Sequence, residues 1–267
     1  MEYFKKILFI ATSDEEAKSV IDSFNMVELE DDIDPGLPAK WYVAIQAKMK
    51  LYLLVSAQAH QYGVTRCGTQ NATLLTWEGL RTMEADIVVS VGYATGIGRA
   101  KLGDIYLCNQ AKYFDREFDC DENNEEMSAY AIGNYHCIVP SKVSFSYQLG
   151  IIASGNSCSL SFELVEELEK DQVCLIDMST AAIAEVCEIR SKPLVVLKGV
   201  HQLIGDEGDE SQIPEEGVQA LSEAMDNALN DIVQWAKDKL IPPVKKKNKN
   251  AKYFKAFSFR RFKKNSK

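Results

Sequence analysis

The fold is decided by one stretch of sequence, VCLIDMSTAAIAEVCEIRSKPLVVLKGVHQ, at residues 173–202. It begins with a short apolar run that ends at Met178, continues with an alanine-rich segment from Thr180 to Ile189, and closes with a second apolar run from Leu194 to His201. Short runs rich in β-branched residues are typical of buried strands, whereas the central segment has the composition of a helix. The stretch therefore predicts a strand, a helix and a second strand.

The rest of the chain repeats this alternation. Further strands are predicted at 7–11, 40–47, 51–57, 87–92, 104–111, 136–140 and 149–154. Further helices are predicted at 13–24, 67–83, 161–169 and 215–240, and the last of them ends before Pro242 and Pro243. Strands that alternate with helices in this way predict an α/β sheet with helices on its faces.

Composition divides the chain into an acidic domain and a basic tail. With 267 residues and 46% hydrophobic content, the chain is long enough to bury one substantial core. Residues 245–267 contain eleven Lys and Arg and no Asp or Glu. Because the whole chain has a net charge of −9, residues 1–244 have a net charge of −20. We therefore predict a single domain over 1–243 and a tail over 244–267.

The tail combines its basic residues with aromatic ones between Tyr253 and Phe262. Such a segment suits an anionic lipid surface, a nucleic-acid backbone or a nuclear address. It also suits the acidic domain of the same chain. The sequence leaves these partners open.

The cysteines favour a reducing compartment. None of the seven forms a CxxC pair or a Cys/His spacing suited to zinc, and Cys108, Cys137 and Cys174 lie in apolar runs. No segment approaches the roughly 20 apolar residues that span a bilayer. We expect a cytoplasmic protein without a metal or cofactor, with tail-directed association with the nucleus or a membrane surface as the alternative.

The opening stretch and three other blocks resemble the methylthioadenosine/S-adenosylhomocysteine nucleosidases of the nucleoside phosphorylase superfamily. The other blocks are ILFIATSDEE at 7–16, IVVSVGYATGIG at 87–98 and IIASGNSCSL at 151–160. The resemblance implies a three-layer α/β/α sandwich with a central mixed, partly barrel-like sheet, and a purine nucleoside as ligand. It also implies a homodimer, because Tyr113-Phe-Asp-Arg116 resembles a family segment near the subunit contact.

Glu16 matches the family glutamate that activates the attacking water. The same residue completes the pattern Ser13-x-x-Glu16, which is typical of a capping box in which the glutamate bonds back to the helix start. Both roles stay open at this point.

The second block places Tyr93, Ala94 and Gly96 at the ligand. Glycines allow the backbone to turn sharply and to approach a ligand closely. Where the family has a small Ser or Thr near the water, this chain has Tyr93, whose ring we expect to fill that space. In the third block the residues matching the family's purine-stacking position are Cys158 and Ser159, so stacking is weakened or moved.

Where the family has a Met-Glu pair, this chain has Met178 and Ser179. Met178 would pack against the sugar, but Ser179 accepts from one ribose hydroxyl at most, without a charge. Asp177 directly precedes this pair, and strict alternation along a strand points it to the opposite face from Met178.

The family's Ser/Thr-Asp pair is His201 and Gln202 in this chain. Gln202 stands at the general-acid position, and an amide can bind purine N7 but cannot deliver a proton to it. His201 adjoins the site, and an imidazole is a side chain that can serve as an acid or a base in proteins. Three nearby carboxylates in the loop that follows are the other candidates for an acid, namely Asp206, Glu207 and Asp209.

The sequence favours a degenerate nucleosidase-fold protein that binds a nucleoside or related ligand with little or no standard catalysis. One alternative is an active N-glycosidase in which Glu16 activates water and adenine is released from methylthioadenosine- or S-adenosylhomocysteine-like nucleosides. A second alternative is an adaptor that the tail directs to a membrane or to nucleic acid.

Overall fold

The computed structural model describes residues 3–29, 37–46, 48–59, 61–116, 127, 130, 133–141, 147–157, 159–204 and 210–239. The predicted tail lies outside the described residues, as do Cys158, Asp206, Glu207 and Asp209. No helix of the described residues is long and apolar enough to cross a bilayer.

The strands of the described residues are β1 (Lys6–Ala11), β2 (Val27–Glu28), β3 (Ala39–Gln46), β4 (Met49–Ser56), β5 (Gln58–Ala59), β6 (Val64–Thr65), β7 (Ile87–Gly96), β8 (Ile105–Tyr113), β9 (Tyr135–His136), β10 (Gln148–Ser154), β11 (Val173–Asp177), β12 (Leu194–Ile204) and β13 (Glu210–Gln212). The helices are α1 (Asp14–Phe24), α2 (Thr69–Met83), α3 (Phe162–Lys170), α4 (Thr180–Ile189) and α5 (Glu215–Lys237). All the predicted helices are present, and the predicted strand at 136–140 is reduced to the short β9.

Eleven strands of the described residues form one large mixed sheet in the order β13-β12-β8-β10-β11-β7-β1-β4-β3-β2, with β9 on β8, while β5 and β6 pair separately. β12 also pairs with β7, so the strands β7, β12, β8, β10 and β11 close into a ring. Four further strands, β1, β4, β3 and β2, extend from β7 as an open wing. The predicted mixed, partly barrel-like sheet is confirmed.

Helices cover the two faces of this sheet, and alternating residues of β1 show how. Phe9 belongs to the hydrophobic cluster that holds Leu229 and Ile232 of α5. Leu8 belongs to the cluster that holds Leu75 of α2 and Ile183 of α4. A strand that is buried on both faces reads as a continuous apolar run, as this one does. The predicted α/β/α sandwich is therefore confirmed.

Candidate functional site

Glu16 is fixed at the junction of β1 and α1. Ser13 is the N-cap of α1, and its Oγ accepts a hydrogen bond from the backbone N–H of Glu16 at 3.2 Å. The Glu16 carboxylate does not complete the predicted capping box at Ser13. Its Oε2 instead accepts from the backbone N–H and the hydroxyl of Thr12, both at 2.7 Å.

The same carboxylate reaches across to the end of β7. Oε1 accepts a hydrogen bond from the backbone N–H of Tyr93 at 3.1 Å. Gly92 makes this contact feasible, because a Cβ at that position would collide with the Glu16 carboxylate. A carboxylate has about four acceptor positions. Described residues donate to three of those on Glu16, and Oε1 has a single donor.

Tyr93 and His201 pack together beside Glu16. Their ring centroids lie 5.6 Å apart, and His201 Nδ1 lies 3.1 Å from the carbonyl oxygen of Ala94. The phenol packs against the core cluster of α1 and α5. Burial first, and then the carboxylates of Glu15 and Glu16, raise the pKa of Tyr93. The ring that the sequence predicts to fill the water position is a neutral phenol that packs against this core cluster.

The register of β12 explains the position of His201. β12 follows β7 in parallel up to Val200, beside Ala94, and the register shifts before Gln202, beside Thr95. His201 occupies this irregularity. Gln202 lies half-buried between Thr95 on one side and Gln212 of β13 on the other.

Asp177 and Lys198 form a buried ion pair, in which Lys198 Nζ lies 3.1 Å from Asp177 Oδ2. Lys198 is only 1% exposed. The Asp177 carboxylate also accepts hydrogen bonds from the Ser154 hydroxyl and from the backbone N–H and hydroxyl of both Ser179 and Thr180. Six donor groups therefore surround one carboxylate.

Opposing effects act on the charges of this pair. Burial alone would raise the pKa of Asp177, but the Lys198 ammonium and the hydroxyl donors outweigh it and lower that pKa. Burial alone would lower the pKa of Lys198, but the carboxylates of Asp177 and then Glu16 outweigh it and raise that pKa. Both groups are therefore charged at neutral pH.

Ser179 is part of this buried network. It is 3% exposed, and its hydroxyl donates to Asp177 Oδ2 at 3.0 Å. Met178, beside it, is half-buried. Ala94 is 2% exposed and joins the core, and a Cβ at Gly96 would meet Leu203 and Ala100. Ala94 and Gly96 thus turn to the interior of the fold.

The third block is hydrogen-bonded to the start of α2 and to the segment that follows β8. Asn156 caps α2 from outside that helix, because its Oδ1 accepts from the Thr69 N–H at 2.9 Å and its Nδ2 donates to the Thr69 hydroxyl at 2.8 Å. The N–H of Asn156 donates to Asp115 at 2.7 Å. Ser159 is exposed, and its carbonyl accepts from the Ser157 hydroxyl.

Sequence reasoning missed Lys198 and left Asp177 outside the site. A signal was available, because Lys198 interrupts the apolar run from Leu194 to Val200. A lysine in a strand that is otherwise fully apolar needs a buried partner of opposite charge. Among the described residues, no group of three or more His, Cys, Asp and Glu side chains is arranged to hold a metal ion.

Comparisons with known proteins agree with this architecture. The sequence profile of the phosphorylase superfamily matches residues 6–234. A 5'-methylthioadenosine/S-adenosylhomocysteine nucleosidase of Arabidopsis thaliana is 21% identical over 244 residues, covering 88% of this chain and 93% of the relative.

Two solved structures illustrate the range of similarity. Arabidopsis thaliana 5'-methylthioadenosine nucleosidase in its apo form superposes with a TM-score of 0.79 at 20% identity, covering 90% of this chain and 99% of the other. The nucleosidase of Neisseria meningitidis in complex with methylthio-immucillin-A gives a TM-score of 0.59 at 21% identity, covering 87% and 97%. These structures share the fold.

Proposed function

We propose a function for the candidate site on the premise that the chain belongs to the phosphorylase superfamily. The site binds an adenine nucleoside of the methylthioadenosine class and hydrolyses its N-glycosidic bond, with Glu16 as the base. The observation that carries this proposal is the geometry of Glu16. Its carboxylate is oriented by three donors, and Oε1 keeps room for one more.

In the proposed reaction, the Glu16 carboxylate acts as the general base. A water held at Glu16 Oε1 gives its proton to the carboxylate while its oxygen attacks C1′ of the ribose. The C1′–N9 bond breaks, and its electron pair leaves with the purine. Because the Gln202 amide cannot supply a proton, the purine takes one from solvent. Loss of a general acid slows such a step by about 100- to 10,000-fold, so we expect slow turnover.

The relatives support the ligand class. Two Arabidopsis proteins similar to this chain are a methylthioadenosine nucleosidase and a methylthioadenosine/S-adenosylhomocysteine nucleosidase. The Neisseria meningitidis enzyme, which shares the fold, has been solved with methylthio-immucillin-A.

A specific observation favours a second candidate, a protein that binds the nucleoside without turnover. The Ser179 hydroxyl is neutral, buried and donates to Asp177, so it offers the sugar neither a charge nor its proton. Together with Gln202, this removes two carboxylates that a nucleosidase of this family uses.

One experiment separates the two candidates. The purified full chain is incubated with adenosine, methylthioadenosine or S-adenosylhomocysteine, free adenine is measured by chromatography, and thermal unfolding is followed with each nucleoside. Adenine release that Glu16→Gln abolishes supports hydrolysis. A nucleoside-dependent rise in the unfolding temperature without adenine supports the binding protein. Absence of both results overturns both candidates.

A further inference from the structure

A groove of about 660 Å³ lies between α5 and the starts of β8 and β10. Two carboxylates line it, those of Asp104 and Asp231, together with Tyr147, Gln148 and two asparagines of α5. The described residues of its lining include no Lys or Arg, and none of them belongs to the candidate site. Pockets that hold small molecules are mostly apolar. The polar, negatively charged lining of this groove suits a cationic partner instead.

Both carboxylates have acceptor positions to spare. Within the described part of the chain, Asp104 Oδ2 accepts one hydrogen bond, from the Lys101 N–H at 3.1 Å. Asp231 Oδ2 likewise accepts one, from the Tyr147 hydroxyl at 2.8 Å. A carboxylate has about four acceptor positions. The groove can therefore take further cationic donors at both carboxylates.

α5 leads from the groove to the start of the tail. Asp231 and Asp238 are seven residues apart, so they lie on the same side of the helix, and both are exposed. The described chain ends at Lys239. From Asp231 to Lys239 the helix rises by about 12 Å, whereas the chain from Lys239 to Lys245 can extend over about 20 Å. The first basic residue of the tail is therefore within reach of the groove.

An unpaired hydrogen-bond donor lies on this same side of α5. Trp235 follows Asp231 by four residues, which places the two on one face of the helix. The indole Nε1–H of Trp235 is buried and has no hydrogen-bond partner among the described residues. Buried polar groups are nearly always hydrogen-bonded, so the acceptor has to come from outside those residues. The segment that directly follows α5 carries backbone carbonyls that can serve as this acceptor.

We infer that the basic tail of this chain docks in the groove, where its Lys and Arg side chains pair with Asp104 and Asp231. The charges are complementary, because residues 245–267 contain eleven Lys and Arg and no Asp or Glu, and the rest of the chain is strongly acidic. A short tether holds a segment at an effective concentration on the millimolar scale. This tether favours the chain's own tail over a separate molecule of the same charge. The inference does not depend on the proposed function.

The first measurement maps contacts in the full natural chain with a carbodiimide, which joins a carboxylate to a lysine amine that touches it. Unlabelled and ¹⁵N-labelled chains are mixed before the reaction, and the joined peptides are identified by mass spectrometry. We expect links from Asp104 and Asp231 to tail lysines, each within a single isotope. Links between the two isotopes would assign the groove to the tail of a second copy. That result overturns the inference, as do links to other carboxylates alone or no links from the tail at all.

The second measurement is the rate at which trypsin cleaves the tail of the full chain, because trypsin cuts after accessible Lys and Arg. Asp104→Asn/Asp231→Asn removes both groove charges and should raise this rate by about three- to tenfold, the scale of two exposed ion pairs. Glu163→Gln/Glu166→Gln removes the same charge from exposed positions of α3 and should be cleaved like the natural chain. Thermal unfolding establishes that both variants are folded. Equal rates in all three proteins, or equal rises in both variants, overturn the inference.

Discussion

Two carboxylates, Glu16 and Asp177, lie near the same lysine, and they differ in how many donors surround them. Asp177 is almost fully buried and receives six donor groups, which exceeds the roughly four acceptor positions of a carboxylate. Glu16 is half-buried and receives three. We call a carboxylate saturated when donors occupy all its acceptor positions, and open when one position is left. The difference indicates that the saturated Asp177 carboxylate serves the fold, whereas the open Glu16 carboxylate is available for chemistry.

The largest expected effect would come from removing the open carboxylate. Glu16→Gln should reduce adenine release by about 100- to 10,000-fold, because an amide cannot accept the water proton. The unfolding temperature should change far less. Glu15→Gln, on the exposed neighbour, is the matched control and should release adenine like the natural chain. Equal losses in both variants would refute the role given to Glu16.

Removing the saturated carboxylate should act on stability. Asp177→Ala leaves a buried ammonium without its main partner, and breaking a buried ion pair costs about 3–5 kcal/mol. Urea unfolding would measure this loss. A loss below about 1 kcal/mol would mean that Asp177 is not the support that its donors indicate.

The same carboxylate predicts a pH dependence of stability. Because the pKa of Asp177 is lowered by folding, its contribution is present above the unfolded value of about 3.9 and is lost as pH falls below it. The free energy of unfolding should therefore decline from about pH 4 downward. Asp177→Asn should show a shallower decline over that range, as measured by urea unfolding at several pH values. Parallel curves would contradict this prediction.

Gln202→Asp should restore an acid to the site. We expect adenine release to rise by about tenfold or more, well within the range that general acid catalysis supplies. Gln202→Glu, which moves the carboxyl by one methylene, is the control and should gain less. No gain in either variant would indicate that the end of β12 does not face the departing purine.

The smallest expected effect separates the cap of α1 from the chemistry of Glu16. Ser13→Ala removes the N-cap acceptor of the Glu16 N–H and should cost about 1 kcal/mol of stability. The three donors of the Glu16 carboxylate do not include Ser13, so adenine release should fall far less than in Glu16→Gln. A loss as large as that of Glu16→Gln would show that the cap holds the carboxylate in place.

Local sequence signals were sufficient for most of the fold. The apolar runs of β1, β7 and β12 and the cap signal at Ser13 each depend on a few neighbouring residues, so they were readable without tertiary information. The two-residue strands β5 and β6 were missed because such lengths carry no periodic signal.

The site was harder to predict because its contacts are between distant residues. The position of Glu16 followed from the cap, but its bond to Tyr93 depends on how β1 and β7 pair. Alternation separated Asp177 from Met178, yet it could not reveal that Lys198 of β12 would meet Asp177 of β11. The register shift at His201 also has no signature in the sequence.

β7 is hydrogen-bonded to three strands, namely β1, β11 and β12. A slip of β7 by one residue would have to break its hydrogen bonds to all three strands at once, so the register of β7 is firmly fixed. Side chains presented there can therefore be substituted while the strands that carry them keep their places.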